Sequence, residues 1–197
     1  SNYKVNVLNY VDDSGLQVAD IIVGFRHFGF ATQPPQGKKF DHYCGDDVYV
    51  KTTEKYEKDP SLEEIRKNIL KELEDGNSAT AQFADDITSR VLENQLETCW
   101  NLGVYYDCLN FESQIIRSGL WGKIFEKLKE LNLIEFENEG KNAGCWVIRG
   151  ENNEEDKVIV RSNGTATYVA KDIPYAAWKL GLLEDPFNYQ KYEKMQP

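Results

Sequence analysis

VIVRSNGTATYVAKDIPYAAWKLGL, residues 158–182, is the stretch whose reading decides the fold. Val158, Ile159 and Val160 are β-branched in a row and read as a strand. Asn163-Gly164 is a turn signal. Thr167 to Leu180 then reads as a helix closed at Gly181, a residue that tolerates the left-handed position after a helix. Pro174 belongs in a first turn, where its missing N–H costs little, so the regular helix is expected from about Lys171–Asp172. Tyr168 and Asp172 are four apart, which puts a phenol and a carboxylate on one side of the run. They follow the C-terminal end of a strand, where open α/β sheets place their ligands.

Working back towards the N-terminus, Leu133–Phe136 and Cys145–Ile148 read as a β-hairpin across the acidic turn 137–144, and the charged stretch 149–156 is expected to be mobile. Val104 to Asn110 is a short strand leading into Glu112-Ser113 and a helix to about Asn132. Glu112 therefore stands at a strand end and a helix start, where the helix dipole favours its charge. Asn77 to Leu102 has apolar residues at helical spacing and stops at Gly103. Ser61 to Asp75 is a second helix, with Ser61 and Glu64 spaced as a capping box and Gly76 as its stop. Phe40 to Tyr56 is ambiguous: Tyr43, Val48, Tyr49 and Tyr56 fit one helix face, while its β-branched residues favour a strand. Ala31 to Lys39, with two prolines and a glycine, is a loop that opens an insertion. Tyr3 to Tyr10 is strand-like. Asp12-Asp13-Ser14-Gly15 breaks it, and Asp13 or Ser14 can cap the helix of Leu16 to Phe28. Residues 184–197 resemble the approach to another strand.

The 197 residues carry a net charge of −10, which argues against an autonomous nucleic-acid binder, since phosphate contacts need lysine and arginine. Acidity suits a cationic ligand, though acidic surfaces also serve solubility. No apolar run reaches the roughly 18 residues of a membrane span. Cys44, Cys99, Cys108 and Cys145 lack paired metal-ligand spacing, and the histidines are only His27 and His42. Asp41, His42, Cys44, Asp46 and Asp47 are irregularly spaced and fit a solvated helix start better than a metal centre. No metal is expected, and the cysteines read as free thiols of a reducing cytosol.

Three blocks carry a family resemblance. SNGTATYVAKDIPYA (162–176) resembles the S-[DN]-G-T-x-T-Y-x-x-x-D-[IV]-[AG]-Y segment of arginyl-tRNA synthetases, of archaeal type in its spelling. NYVDDSGLQVADIIVGF (9–25) resembles the strand and helix that follow the HIGH motif of that family, and FESQIIRSGL (111–120) resembles a third block. The blocks keep the family order and span nearly the whole chain. Neither HIGH nor a KMSKS-type loop occurs, so the chain reads as an internal piece of a catalytic domain, with Ser1-Asn2 as a short remnant before it.

The resemblance implies an α/β chain: a partial Rossmann-like nucleotide-binding fold with an inserted, mainly helical connective module. Residues 3–30 would be one Rossmann-half strand and helix, 31–150 the insertion with its small hairpin, and 157–197 the strand and helix of the second half. It implies a cytoplasmic ligase that activates L-arginine with ATP and Mg2+ and transfers it to tRNA(Arg). It also implies an arginine-binding set of Glu112, Tyr168 and Asp172, with Gln17 as a further position, and no catalytic residue in this piece. A guanidinium is a planar, permanently charged fork of donors, and two carboxylates with a phenol would meet it. Two readings stay open beside this one: a class I synthetase of other specificity, and a non-catalytic α/β interaction module. The set Glu112, Tyr168 and Asp172 separates the first, because it suits a guanidinium and would be odd for an apolar or thiol substrate.

Overall fold

The helix α1 (Leu16–His27) is the element on which the first core is assembled. A computed structural model describes residues 4–151, 154–162, 164, 166–184, 187–192 and 196–197, without the side chains of Tyr168 and Lys171. It divides into two units, residues 1–113 with 189–197, and residues 114–188.

In the first unit, β1 (Leu8–Val11) lies parallel to β2 (Cys108–Phe111), in the register Leu8↔Cys108 to Val11↔Phe111. The strand expected from Tyr3 is thus shorter, and residues 4–7 are irregular. The regular elements between the two strands are all helical: α1, α2 (Phe40–His42), a π-helical stretch (Tyr43–Tyr49), α3 (Val50–Lys58), α4 (Leu62–Asp75) and α5 (Ala79–Asn101). Ile22 and Val23 of α1 are sealed from solvent and meet Val48, Ile69, Leu73 and Ile87 in one apolar cluster. Phe25 stacks on Phe40 with centroids 6.5 Å apart and takes the edge of Phe83 at 6.1 Å. This is the apolar spacing of three amphipathic helices brought to one axis.

The ambiguous segment 40–56 is helical, and its π turn explains the ambiguity. One extra residue in a turn shifts the face that a period of 3.6 would predict. Tyr43, Cys44 and Val48 then all reach the core, while Asp47 stays outside and accepts from Lys38 at 2.6 Å and Lys51 at 3.1 Å. Gly24 of α1 makes the contact possible. A β-carbon there would stand 2.5 Å from a Val48 methyl and 2.6 Å from the Thr52 hydroxyl.

The capping box does not form. Asp59 is extended, Pro60 follows, and the Asp59 carboxylate accepts from the Ser61 amide at 3.0 Å and the Ser61 hydroxyl at 2.6 Å. Asp59 is the effective cap with proline at the next position, the arrangement that costs proline nothing. α5 is capped by Ser78, which accepts from the Ala81 amide at 3.0 Å.

In the second unit, α7 (Leu120–Glu130) precedes a three-stranded antiparallel sheet in the order β3 (Glu135–Phe136), β4 (Trp146–Ile148), β5 (Lys157–Val160). The hairpin is the expected one. The single helix expected from Glu112 to Asn132 is instead α6 (Glu112–Arg117) and α7, divided at Gly119, whose φ of 71° breaks the helical path. β5 joins the hairpin antiparallel to β4. Phe125, Trp146, Ile134 and Ile159 form the core. The ends of the stretch expected to be mobile are tied: Arg149 bonds Glu135, Glu137 and Asp156.

α8 (Tyr168–Lys179) begins earlier than expected and contains Pro174 in its interior. Thr167 sets that start. Its amide donates to the Ile159 carbonyl and its hydroxyl to the Val158 carbonyl, each at 2.9 Å, so the helix is fixed to β5 before the proline is reached. Burial of the Pro174 ring offsets the hydrogen bond it cannot make. The helix closes at Gly181 with φ 70°, as expected. Among the described residues no helix is long and apolar enough to cross a membrane. The expected turn residue Asn163 lies outside the described residues.

Candidate functional site

The β1–β2 pair brings two loops together. The turn after β1 carries Asp13 and Ser14, and the end of β2 carries Glu112 and Ser113. The expectation that Asp13 or Ser14 caps α1 is not met: the position before α1 is Gly15, with no side-chain cap. Both side chains are directed across the strand pair instead. The Ser14 hydroxyl donates to Glu112 Oε2 in a short hydrogen bond, and the Tyr10 hydroxyl donates to Oε1 at 3.3 Å. Asp13 accepts from the Ser113 amide at 2.9 Å and the Ser113 hydroxyl at 2.6 Å, so a side chain a hundred residues away satisfies the first turn of α6.

Glu112 is 9% exposed. Each of its oxygens already accepts one hydroxyl, and a carboxylate oxygen has capacity for a second donor. The two hydroxyls fix the carboxylate plane without neutralising it. Asp12 and Asp13 add negative charge to the same turn. A small cation with several N–H donors is the complement of this arrangement. Gln17 is exposed in the first turn of α1.

Asp172 lies in α8 of the second unit and is exposed. Tyr168 opens the same helix, so the expected spacing of four is helical; its side chain lies outside the described residues. Tyr10, Ser14, Asp13 and Ser113 are functional candidates that the sequence did not single out. The only signal for them was strand pairing, because Ser14 and Glu112 meet through β1 and β2 alone.

Of the five residues that resemble a metal cluster, three carboxylates have other partners: Asp41 accepts from the His42 amide at 2.8 Å, and Asp46 and Asp47 both pair with Lys38. Cys44 is buried, and burial pushes its thiol up to about 12. Asp47 is held below the usual carboxylate range by hydrogen bonds from Lys38 and Lys51. Among the described residues no three of His, Cys, Asp or Glu could hold a metal ion together.

A parallel strand pair around a helix, with a family model described as "tRNA synthetases class I (R), catalytic domain" matching residues 1–185, sets the class as a class I synthetase catalytic domain. The arginine--tRNA ligase of Thermococcus sibiricus is 31% identical over 98% of this chain and 32% of its own length. That of Thermus thermophilus is 36% identical over 96% of this chain and 31% of its own. The solved Thermus thermophilus arginyl-tRNA synthetase superimposes with a TM-score of 0.77 at 35% identity, over 98% of this chain and 32% of that one. The Plasmodium falciparum arginyl-tRNA synthetase shares the fold, with a TM-score of 0.66 at 15% identity over 89% of this chain and 28% of its own. The chain belongs to the arginyl-tRNA synthetase family of class I catalytic domains. It spans about a third of the length of the relatives it matches.

Proposed function

We propose that this chain supplies arginine side-chain recognition to a cytoplasmic arginine–tRNA ligase. The observation that carries the reading is the Glu112 carboxylate, fixed by Ser14 and Tyr10 within a block matched to the family. In this reading Glu112, Tyr168 and Asp172 are the acceptors for the guanidinium N–H donors, and Gln17 is a polar contact. Charged hydrogen bonds of this kind contribute about 1.5–3 kcal/mol each, enough for two or three to exclude a neutral analogue by about 10⁴-fold.

The reaction is ATP-dependent. The arginine carboxylate attacks the α-phosphorus of ATP, the bond to pyrophosphate breaks, and arginyl-adenylate results. A terminal ribose hydroxyl of tRNA(Arg) then attacks the arginyl carbonyl and AMP leaves. The described residues at the β1–α1 turn do not suit a triphosphate: Asp12, Asp13 and Glu112 would repel it, and phosphate sites need converging amides and cations. ATP with Mg2+, and tRNA, therefore depend on groups other than these. Taken alone, the chain is expected to show no aminoacylation or pyrophosphate exchange; either activity would refute that assignment of roles.

The test is a titration with L-arginine and, in parallel, citrulline, followed by two-dimensional NMR. Shifts specific to arginine, absent in Glu112→Gln and Asp172→Ala, support the reading. Equal responses to both ligands would remove Glu112 and Asp172 as the recognising pair.

A further inference from the structure

Polar contacts hold α1 along its length; near its C-terminus Arg26 donates to Thr80 Oγ1 at 3.3 Å and to the Ala79 carbonyl at 3.1 Å, and two further contacts lie nearer its start. Just before its first turn, Ser14 donates to Glu112. About a turn and a half later, Asp20 is fully buried, and its Oδ2 accepts from Arg66 Nη2 of α4 at 2.8 Å. Arg66 lies with its guanidinium carbon 5.2 Å from the centre of the Tyr56 ring and also contacts Glu63 at 3.4 Å. The polar surroundings are incompletely satisfied: Thr52 Oγ1 and Arg66 Nε have no hydrogen-bond partner among the described residues, while the Tyr56 hydroxyl lies against the Asp20 carboxylate. Apolar side chains of similar volume would hold two helices together as well or better. What they would lack is direction. A slide of one helix on another leaves an apolar contact nearly unchanged, whereas it breaks an Arg–carboxylate bond.

We propose that Arg66 is a positioning residue for the arginine site: by its bond to Asp20 it fixes the axial register of α1 on α4, and with it the point at which Ser14 meets Glu112. This rests on Glu112 being the guanidinium acceptor. The rise per helical residue is about 1.5 Å, so a slide of one residue carries Ser14 out of hydrogen-bond range of Glu112. Glu112 then loses the donor that sets its plane. Affinity for the arginine side chain falls, while the reaction at the α-carboxylate, the opposite end of the substrate, is unaffected.

The experiment uses the complete ligase carrying this chain, as Arg66→Met, Arg66→Lys and the double variant Asp20→Leu/Arg66→Met. Aminoacylation gives KM for arginine and kcat, and thermal unfolding gives Tm. Arg66→Met is expected to raise KM about tenfold, as for loss of one well-aligned polar contact, with kcat within about twofold. Arg66→Lys should recover part of the loss. The double variant is expected to restore Tm while KM stays raised. If KM returns together with Tm, if KM never rises, or if the loss is in kcat alone, Arg66 only holds the helices together and the proposal fails. Should Arg66→Met not accumulate, the lysine and double variants give the same readings. A wild-type ligase that does not charge tRNA with arginine would instead refute the functional reading beneath it.

Discussion

Gly24→Ala should destabilise the first unit, against the general trend for glycine in helices. Alanine in a helix interior is normally favoured by about 0.5–1 kcal/mol. At Gly24 the added methyl would stand 2.5 Å from Val48 Cγ1 and 2.6 Å from Thr52 Oγ1, distances that β-carbons do not adopt. Neither neighbour can yield, because Val48 in the π turn and Thr52 in α3 are both 0% exposed. Overpacking costs about 1–3 kcal/mol, and two contacts under 3 Å put this case in the upper half of that range, so after the alanine preference the net loss is about 1–2 kcal/mol. At about 3 °C per kcal/mol for a unit of this size, Tm falls by about 3–6 °C. Gly122→Ala is the matched control: Gly122 is exposed on α7 with nothing within 4 Å of its β-carbon, and its replacement should raise stability by about 0.5–1 kcal/mol. Thermal unfolding by circular dichroism, with hydrogen exchange at the α1 amides, reads both. A Gly24→Ala chain as stable as wild type would show that α1 does not press on the π turn as described.

Cys44, 1% exposed and with its thiol pushed up to about 12, should stay unmodified by iodoacetamide at pH 8 while Cys145 reacts, and should label only on unfolding. The Asp156 carboxyl accepts from the Gly150 amide at 3.0 Å and from Arg149 at 2.7 Å, which hold it below the ordinary aspartate value. A depressed folded value means support that is complete above about pH 4, the unfolded value, and lost as pH falls through the folded one. A carboxyl NMR titration midpoint at or above 4 for Asp156 would contradict this. Asp59→Ala should lower the unfolding midpoint more than Glu64→Ala, because Asp59 holds the amide and hydroxyl of Ser61 while the box partner Glu64 holds neither. The reverse order would restore the capping box.

The sequence was most legible where one residue decides one local outcome. Gly76, Gly103 and Gly181 end helices as expected, and the hairpin before and after residues 137–144 is in place. It misled where a side chain had a choice of partner. Ser14 has the composition of a cap but bonds a residue 98 positions away, and Ser61 gives its hydroxyl to the preceding loop. The π turn was invisible because its extra residue shifts the apolar period that reveals helices. Pro174 was misplaced because its burial, which decides the matter, is a tertiary property. Of the candidate site, Glu112 was visible through the family block and the strand end; Tyr10 and Ser14 were not, since only the β1–β2 register brings them to it.

That register also governs the order in which the molecule is made. Leu8 pairs with Cys108, a hundred positions along the chain. Joining two such points in a disordered chain costs about 4 kcal/mol by (3/2)RT ln n, against four residue pairs of reward. Contacts among α1, α4 and α5 span shorter loops and form sooner. Helices packed in this way shorten the gap the strands must close, so Ser14 reaches Glu112 only after the intervening layer has consolidated. The carboxylate clamp is thus a late event in folding, completed in molecules that have already passed every earlier step.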